Sequence, residues 1–171
     1  PPAAAATPMA PATGAVATAP PAVDVGQVIV GLGAVIVVVS MFLNWIDFTV
    51  SAAGRTAHET VTASGVQVQF LFDWTNTSND PSILVVLIPA VLLGVLGAIL
   101  HNKVLAIIGA IVSLFVAAMF TFQLDQTLDR VNELARGVVH VDLGDLLGIA
   151  PFVCGGGAIV MLVGGLLLRR R

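Results

Sequence analysis

The chain has 171 residues, of which 57% are hydrophobic and 10% charged, with a formal net charge of -3 and a mean hydropathy of +1.01. A soluble domain is about one-quarter charged, so this composition excludes an ordinary water-soluble enzyme, and the acidic balance argues against a nucleic-acid partner. The single cysteine, Cys154, excludes an internal disulfide and a cysteine-ligated cluster.

Residues 1–24 contain six Pro and ten Ala and no basic residue. Such a segment cannot bury enough apolar surface to offset its ordering entropy, and a disordered, partly polyproline-like tail is expected. Four charge-free runs follow, at residues 25–43, 83–100, 104–122 and 146–168, of 19, 18, 19 and 23 residues. A helix rises ~1.5 Å per residue through a hydrocarbon core ~30 Å thick, so about 20 apolar residues suffice to cross it. The expected fold class is an all-α membrane protein: a four-transmembrane-helix bundle over residues 25–171, with outer loops at 44–82 and 123–145.

Basic residues set the orientation, because Lys and Arg in short loops mark the cytoplasmic side. Lys103 lies in the turn "HNK" between the second and third runs, and Arg169, Arg170 and Arg171 follow the fourth. The other two connections hold Arg55, Arg130 and Arg136 against nine of the ten acids. The expectation is a multi-pass membrane protein with four spans and both termini cytoplasmic.

In the first outer loop, "FTVSAAGRTAHETVTASGVQVQFLFDW" alternates at Val66, Val68, Phe70 and Phe72, and Ile46 to Val50 is a second β-rich stretch. A small β-hairpin patch is expected, with Gly54 and Gly65 as turn points and Trp45 and Trp74 as interfacial anchors. In the second outer loop, Leu124, Leu128, Val131 and Leu134 or Ala135 repeat at helical spacing. Either the third span runs straight on to Arg136, or it breaks near Gln123 into a short interfacial helix; the short helix is the expectation adopted.

No residue set points to chemistry. His58 and Glu59 lack the second histidine of a zinc-protease helix. His140, Asp142 and Asp145, and the ladder Asp125, Asp129 and Glu133, read as solvated acidic surface rather than metal ligands. The charge-free runs hold no ionisable relay of the kind that pumps and ion-coupled transporters keep in their spans. No catalytic residue, metal or cofactor is assigned. The runs do carry helix-packing residues: Gly94 and Ala98 in the second, Gly109, Ser113 and Ala117 in the third, and Gly157 and Gly164, one heptad apart, in the fourth. Small residues let backbones approach closely, and this packing drives association in lipid. Internal packing is the first reading of these faces, contact with other subunits the second.

A first span ending in "SMFLNWIDF", a "TASG" turn, a two-helix cytoplasmic hairpin and a glycine-rich last span ending in "RRR" resemble small four-helix membrane proteins of high-GC, actinobacterial-type bacteria. Some such proteins are accessory subunits of respiratory or lipid-handling complexes. The resemblance implies a location in the bacterial inner membrane and a noncatalytic role, and the first expectation is an accessory subunit of a larger inner-membrane complex, energy-transducing (respiratory or photosynthetic) in the first instance. Accessory work in lipid transport, or a self-contained lipid or solute carrier, is the alternative. The expected partners are membrane lipids and other integral membrane subunits, with no soluble substrate. The outer-loop contacts would be Trp45, Phe48, Phe70, Phe72, Trp74, Leu128 and Val131.

Overall fold

The computed structural model describes residues 24–52, 55–71, 81–134 and 146–169. The described residues are mostly helical, with α1 at Val25–Ser40, α2 at Leu84–Ile99, α3 at Lys103–Leu134 and α4 at Ala150–Leu167. One small sheet accompanies them, with β1 at Ile46–Ala52 paired antiparallel to β2 at Arg55–Val61. Each helix packs on its neighbours in sequence, α1 on α2, α2 on α3, α3 on α4, and α4 back on α1. Among these, α3 and α4 are long and apolar enough to cross a membrane, while α1 and α2 are 16 residues each.

Local sequence explains the helix ends. Asp24 caps α1, its Oδ1 accepting from the Gly26 amide at 2.9 Å, which satisfies one of the amides that a helix start leaves free. At the other end of the molecule's first hairpin, the three residues His101, Asn102 and Lys103 divide the work of a tight turn. The amides of Asn102 and His101 donate back to the Gly97 and Ala98 carbonyls at 2.8 and 3.2 Å, closing α2 in a Schellman motif. That motif needs a left-handed residue, and His101 supplies it at φ 53°. Asn102 then caps α3, its Oδ1 accepting from Val104 and Leu105.

The sides of the helices invert the pattern of a soluble bundle. Residues facing outward are large and apolar, as at Leu32 and Val35 on α1, Leu92 on α2, Ile111 and Phe115 on α3, and Phe152 on α4, each roughly half exposed or more. Residues facing inward include Gly33, Ala34, Gly94, Ala110, Ser113, Gly157 and Ala158. Backbones therefore nearly touch. A β-carbon on Gly33 would lie 2.5 Å from the Met161 amide nitrogen, and one on Gly164 would lie 2.5 Å from that of Val30. Glycines seven residues apart on α1, Gly26 and Gly33, thus face glycines seven apart on α4, Gly164 and Gly157. The α2–α3 pair closes likewise, with Gly97 against Ala106 and Gly109 against Ala90 and Gly94.

Three expectations are corrected here. The third helix is unbroken through Leu134, so Leu124 and Leu128 belong to α3 and not to a separate interfacial helix. Helix spacing continues across Gln123 without glycine or proline, and nothing in that stretch interrupts the hydrogen-bond ladder. The alternating stretch from Val66 does not form a strand; Val68–Leu71 is a 3-10 helix, and Gln67 makes one isolated bridge, to Ser82. The β-rich stretch at Ile46 does pair, but with Arg55–Val61, because a register of Ala52 opposite Arg55 lets consecutive segments pair without a long loop. Finally, α1, α2 and α4 are shorter than their charge-free runs, with α4 beginning at Ala150 rather than at residue 146.

Candidate functional site

Two ends of the bundle gather the polar and aromatic side chains, and each is built differently. At the outer end, α1 finishes at Ser40 and the chain turns into Trp45, which is fully buried. Its indole Nε1 donates to the Ser40 carbonyl at 3.0 Å, and its ring meets Phe120 of α3 edge-on, centroids 5.0 Å apart. Phe70, from the 3-10 helix, lies 5.5 Å from the same Phe120 ring. Ala63, Val66, Leu71, Ile83, Leu124 and Leu128 complete this core.

Trp45 was expected at the membrane surface as an anchor, and the structure buries it instead. Helix C-termini leave carbonyls free, and one of them satisfies the indole N–H, so the ring can leave water without an orphaned donor. Around it the backbone joins three elements. The Trp45 amide donates to Val61 of β2 at 2.7 Å, the Gly148 amide to Trp45 at 3.1 Å, and the Ala150 amide to Asn44 at 3.0 Å. Gly148 is required here, because a β-carbon would collide with the Asn44 carbonyl. The root of the hairpin is thereby fixed to the start of α4.

The outer surface proper is polar. Asp47 and His58 pair across the hairpin at 2.7 Å, both well exposed, and such a pair contributes little to stability. Phe48 is half-buried beside them. On α3, Asp125, Asp129, Arg130 and Glu133 are exposed while Leu124 and Leu128 turn inward. Among the described residues, no three His, Cys, Asp or Glu side chains lie close enough to hold a metal. Phe72, Trp74, His140, Asp142 and Asp145 lie outside the described residues, as does the side chain of Val131.

The opposite end of the bundle, defined by the HNK turn and the end of α4, is a set of cross-helix ties. Gln27 Nε2 of α1 donates to the Ala98 carbonyl of α2 at 2.8 Å. Lys103 Nζ of α3 donates to the Leu166 carbonyl of α4 at 3.2 Å. The Arg169 amide donates to Asp24 Oδ2 at 3.2 Å. That amide holds the Asp24 carboxyl below its ordinary pKa; desolvation opposes the shift, and the Gly26 amide and the charges of His101 and Arg169 add to it. His101 Nε2 is enclosed without a hydrogen-bond partner. Arg170 and Arg171 lie outside the described residues.

Between these ends the interior is small and internally satisfied. Ser40 Oγ donates to the Val37 carbonyl at 2.6 Å and Ser113 Oγ to Gly109 at 2.9 Å. Cys154 Sγ is fully buried, 3.7 Å from the Ser113 carbonyl. All seven helix-packing residues named from the sequence, Gly94, Ala98, Gly109, Ser113, Ala117, Gly157 and Gly164, are buried in contacts within the chain. Their close approaches are to other helices of the same bundle, so they are not a face offered to neighbours. Leu128 is likewise buried, against the expectation of an outer contact. Sequence reasoning passed over Gly26, Gly33, Gly97, Met161 and Phe120. The heptad spacing of Gly26 and Gly33, matching that of Gly157 and Gly164, was the signal available for the first pair.

Comparison with protein-family models, with curated proteins and with solved structures finds no match to this chain.

Proposed function

We propose that the chain crosses a bacterial inner membrane four times, with both termini and the HNK turn cytoplasmic, and serves as a noncatalytic accessory subunit of a larger membrane complex. The observation that carries the reading is the inverted polarity of the bundle: large apolar side chains outward on all four helices, small residues and bonded hydroxyls inward. In water such an outer surface would aggregate; in lipid it is solvated, and close backbone packing holds the helices.

The two 16-residue helices fit the same scheme. Gly26 of α1 packs at Leu168, and Asn44, just past its end, bonds to Ala150. α1 with its closing turns therefore runs beside the whole of α4, and crosses whatever α4 crosses. α2 runs beside α3 in the same way, from Gly97 at Ala106 back to Ala90 at Gly109. α3, at 32 residues, is ~48 Å long, and its last third stands clear of the bilayer as a post beside the 3-10 helix Val68–Leu71.

A packed interior without an Asp, Glu, His, Lys or Arg side chain between the two ends of the bundle supports a structural role over a transport one. The post and the hairpin, with Phe48 and the exposed charges of α3, are the surface on which an extracytoplasmic partner subunit would sit. The choice of an energy-transducing host, respiratory or photosynthetic, rests on the resemblance alone. Gentle purification of the tagged chain from its native membrane, with mass spectrometry of what accompanies it, tests the proposal. Stoichiometric membrane subunits support the accessory role, and a lone stable species overturns it.

A further inference from the structure

We infer that the corner where the HNK turn meets the end of α4 seats the headgroup phosphate of an anionic phospholipid, with Lys103 as the contacting cation and Arg169 beside it. This rests on the four-span reading. The Lys103 ammonium reaches from α3 to the Leu166 carbonyl of α4 at 3.2 Å. An ammonium has three donors, so the bond fixes its position across the two helices and leaves two N–H groups directed elsewhere.

The residues around this cation are apolar and exposed. Leu100, at the end of α2, and Val104 are 64% and 57% exposed, and Leu166 and Leu167 are 59% and 52% exposed. One turn further along, Ile108 of α3 and Val163 of α4 are exposed too, so that an apolar strip leads away from the charge. A free anion would have no use for such a strip and a soluble peptide would need polar partners along it. An amphiphile with a negative head and acyl tails matches both halves.

Charge is distributed to favour this end. Among the described residues Lys103 and Arg169 lie at this end against one acid, Asp24, and the sequence continues from Arg169 into Arg170 and Arg171. Asp24 has its two oxygens bonded to the Gly26 and Arg169 amides, so it is committed to closing α1 and α4 and does not pair with Lys103. The cytoplasmic leaflet is the one enriched in anionic lipid. The opposite end, which holds Asp47, Glu59, Asp125, Asp129 and Glu133 among the described residues, would repel the same headgroup.

The test reconstitutes the full chain in phosphatidylcholine bilayers containing a minor fraction of phosphatidylglycerol. Flotation with the vesicles is measured first; a chain that does not float overturns the four-span reading and this inference with it. For the floating protein, native mass spectrometry reads the ratio of bound phosphatidylglycerol to bound phosphatidylcholine. Enrichment of phosphatidylglycerol over the bulk ratio is expected. Lys103→Gln should lower it about fivefold, and Lys103→Gln with Arg169→Gln by about a further fivefold. Lys103→Arg should preserve it, and Arg55→Gln, which removes the same charge from the hairpin, should leave it unchanged. No enrichment in the native chain, or enrichment that survives Lys103→Gln, overturns the inference while leaving the spans intact. Loss of the enriched lipid to millimolar inorganic phosphate would make this a free-phosphate site and overturn the lipid assignment.

Discussion

The α1–α4 seam and the outer aromatic core are only a few turns apart, yet they are packed by opposite means. Along the seam, glycines face glycines and the helices meet backbone to backbone, as Gly33 does at Met161 and Gly164 at Val30. At the outer end, Trp45, Phe120 and Phe70 fill the space between α1, α3 and the 3-10 helix. On the four-span reading proposed above, the difference tracks the solvent. In lipid, burying a large apolar side chain gains little over leaving it outside, so association comes from close contact and small residues. Where water reaches, burial of a ring is strongly favourable, and the largest side chains go inside.

The comparison can be broken most severely at the seam. Gly33→Leu should prevent α1 from docking on α4 altogether, because even a β-carbon there meets the Met161 backbone. Loss of the monodisperse species in detergent would show it, by well over the ~1–3 kcal/mol of ordinary overpacking. Trp45→Ala should be next, lowering unfolding stability by about 3–5 kcal/mol through the lost ring. Trp45→Phe should lose roughly 1 kcal/mol of that, for the bond to Ser40. A Trp45→Ala variant as stable as the parent in a denaturant titration would mean that the outer core is not packed as described.

Smaller changes sharpen the contrast. Gln27→Leu removes the bond to the Ala98 carbonyl and should lower stability by about 0.6–1.7 kcal/mol, the range for polar contacts between membrane helices. His101→Gly should raise the thermal midpoint, since relief of a left-handed side-chain residue is worth roughly 1 kcal/mol. Gly156→Ala, where a β-carbon meets open space, should be neutral or stabilising by less than ~1 kcal/mol. The contrast with Gly33 separates a glycine needed for approach from one that is not.

The smallest effect is a pH dependence at Asp24. Its carboxyl pKa is lowered on folding from an ordinary 3.8, chiefly by the Arg169 amide. The contribution is therefore complete above about pH 3.8, where the unfolded group is also ionised, and is lost as pH falls through the lower folded value. Hydrogen exchange of the Gly26 and Arg169 amides should accelerate in that acid window, and Asp24→Asn should remove the acceleration.

Much of the helical architecture was legible from residue type. Asp24 before an apolar run, and "HNK" between two such runs, mark ends that the structure places within a residue or two. The outer loop was less legible. Alternation from Val66 to Phe72 has the period of a strand, but a strand needs a partner edge, and the nearer segment at Arg55–Val61 is the one that pairs with β1. Val66 and Leu71 are buried all the same, Leu71 from a 3-10 helix and Val66 from the bend before it. Period alone reports which side chains avoid water and leaves the backbone that carries them open.

The sequence by itself determined where charge is absent, where helices begin and turn, and which end is basic, because those properties belong to single residues and their near neighbours. Tertiary structure decided the rest. Whether Gly157 and Gly164 face another subunit or α1 depends on the rotation of one helix about another, and Gly26 and Gly33 settle it by leaving room for the backbone. Whether Trp45 anchors at a surface or enters the core depends on a carbonyl being within reach of its indole, and the end of α1 brings Ser40 there. Both outcomes turn on distances between segments far apart in the chain, and no spacing within one segment encodes them.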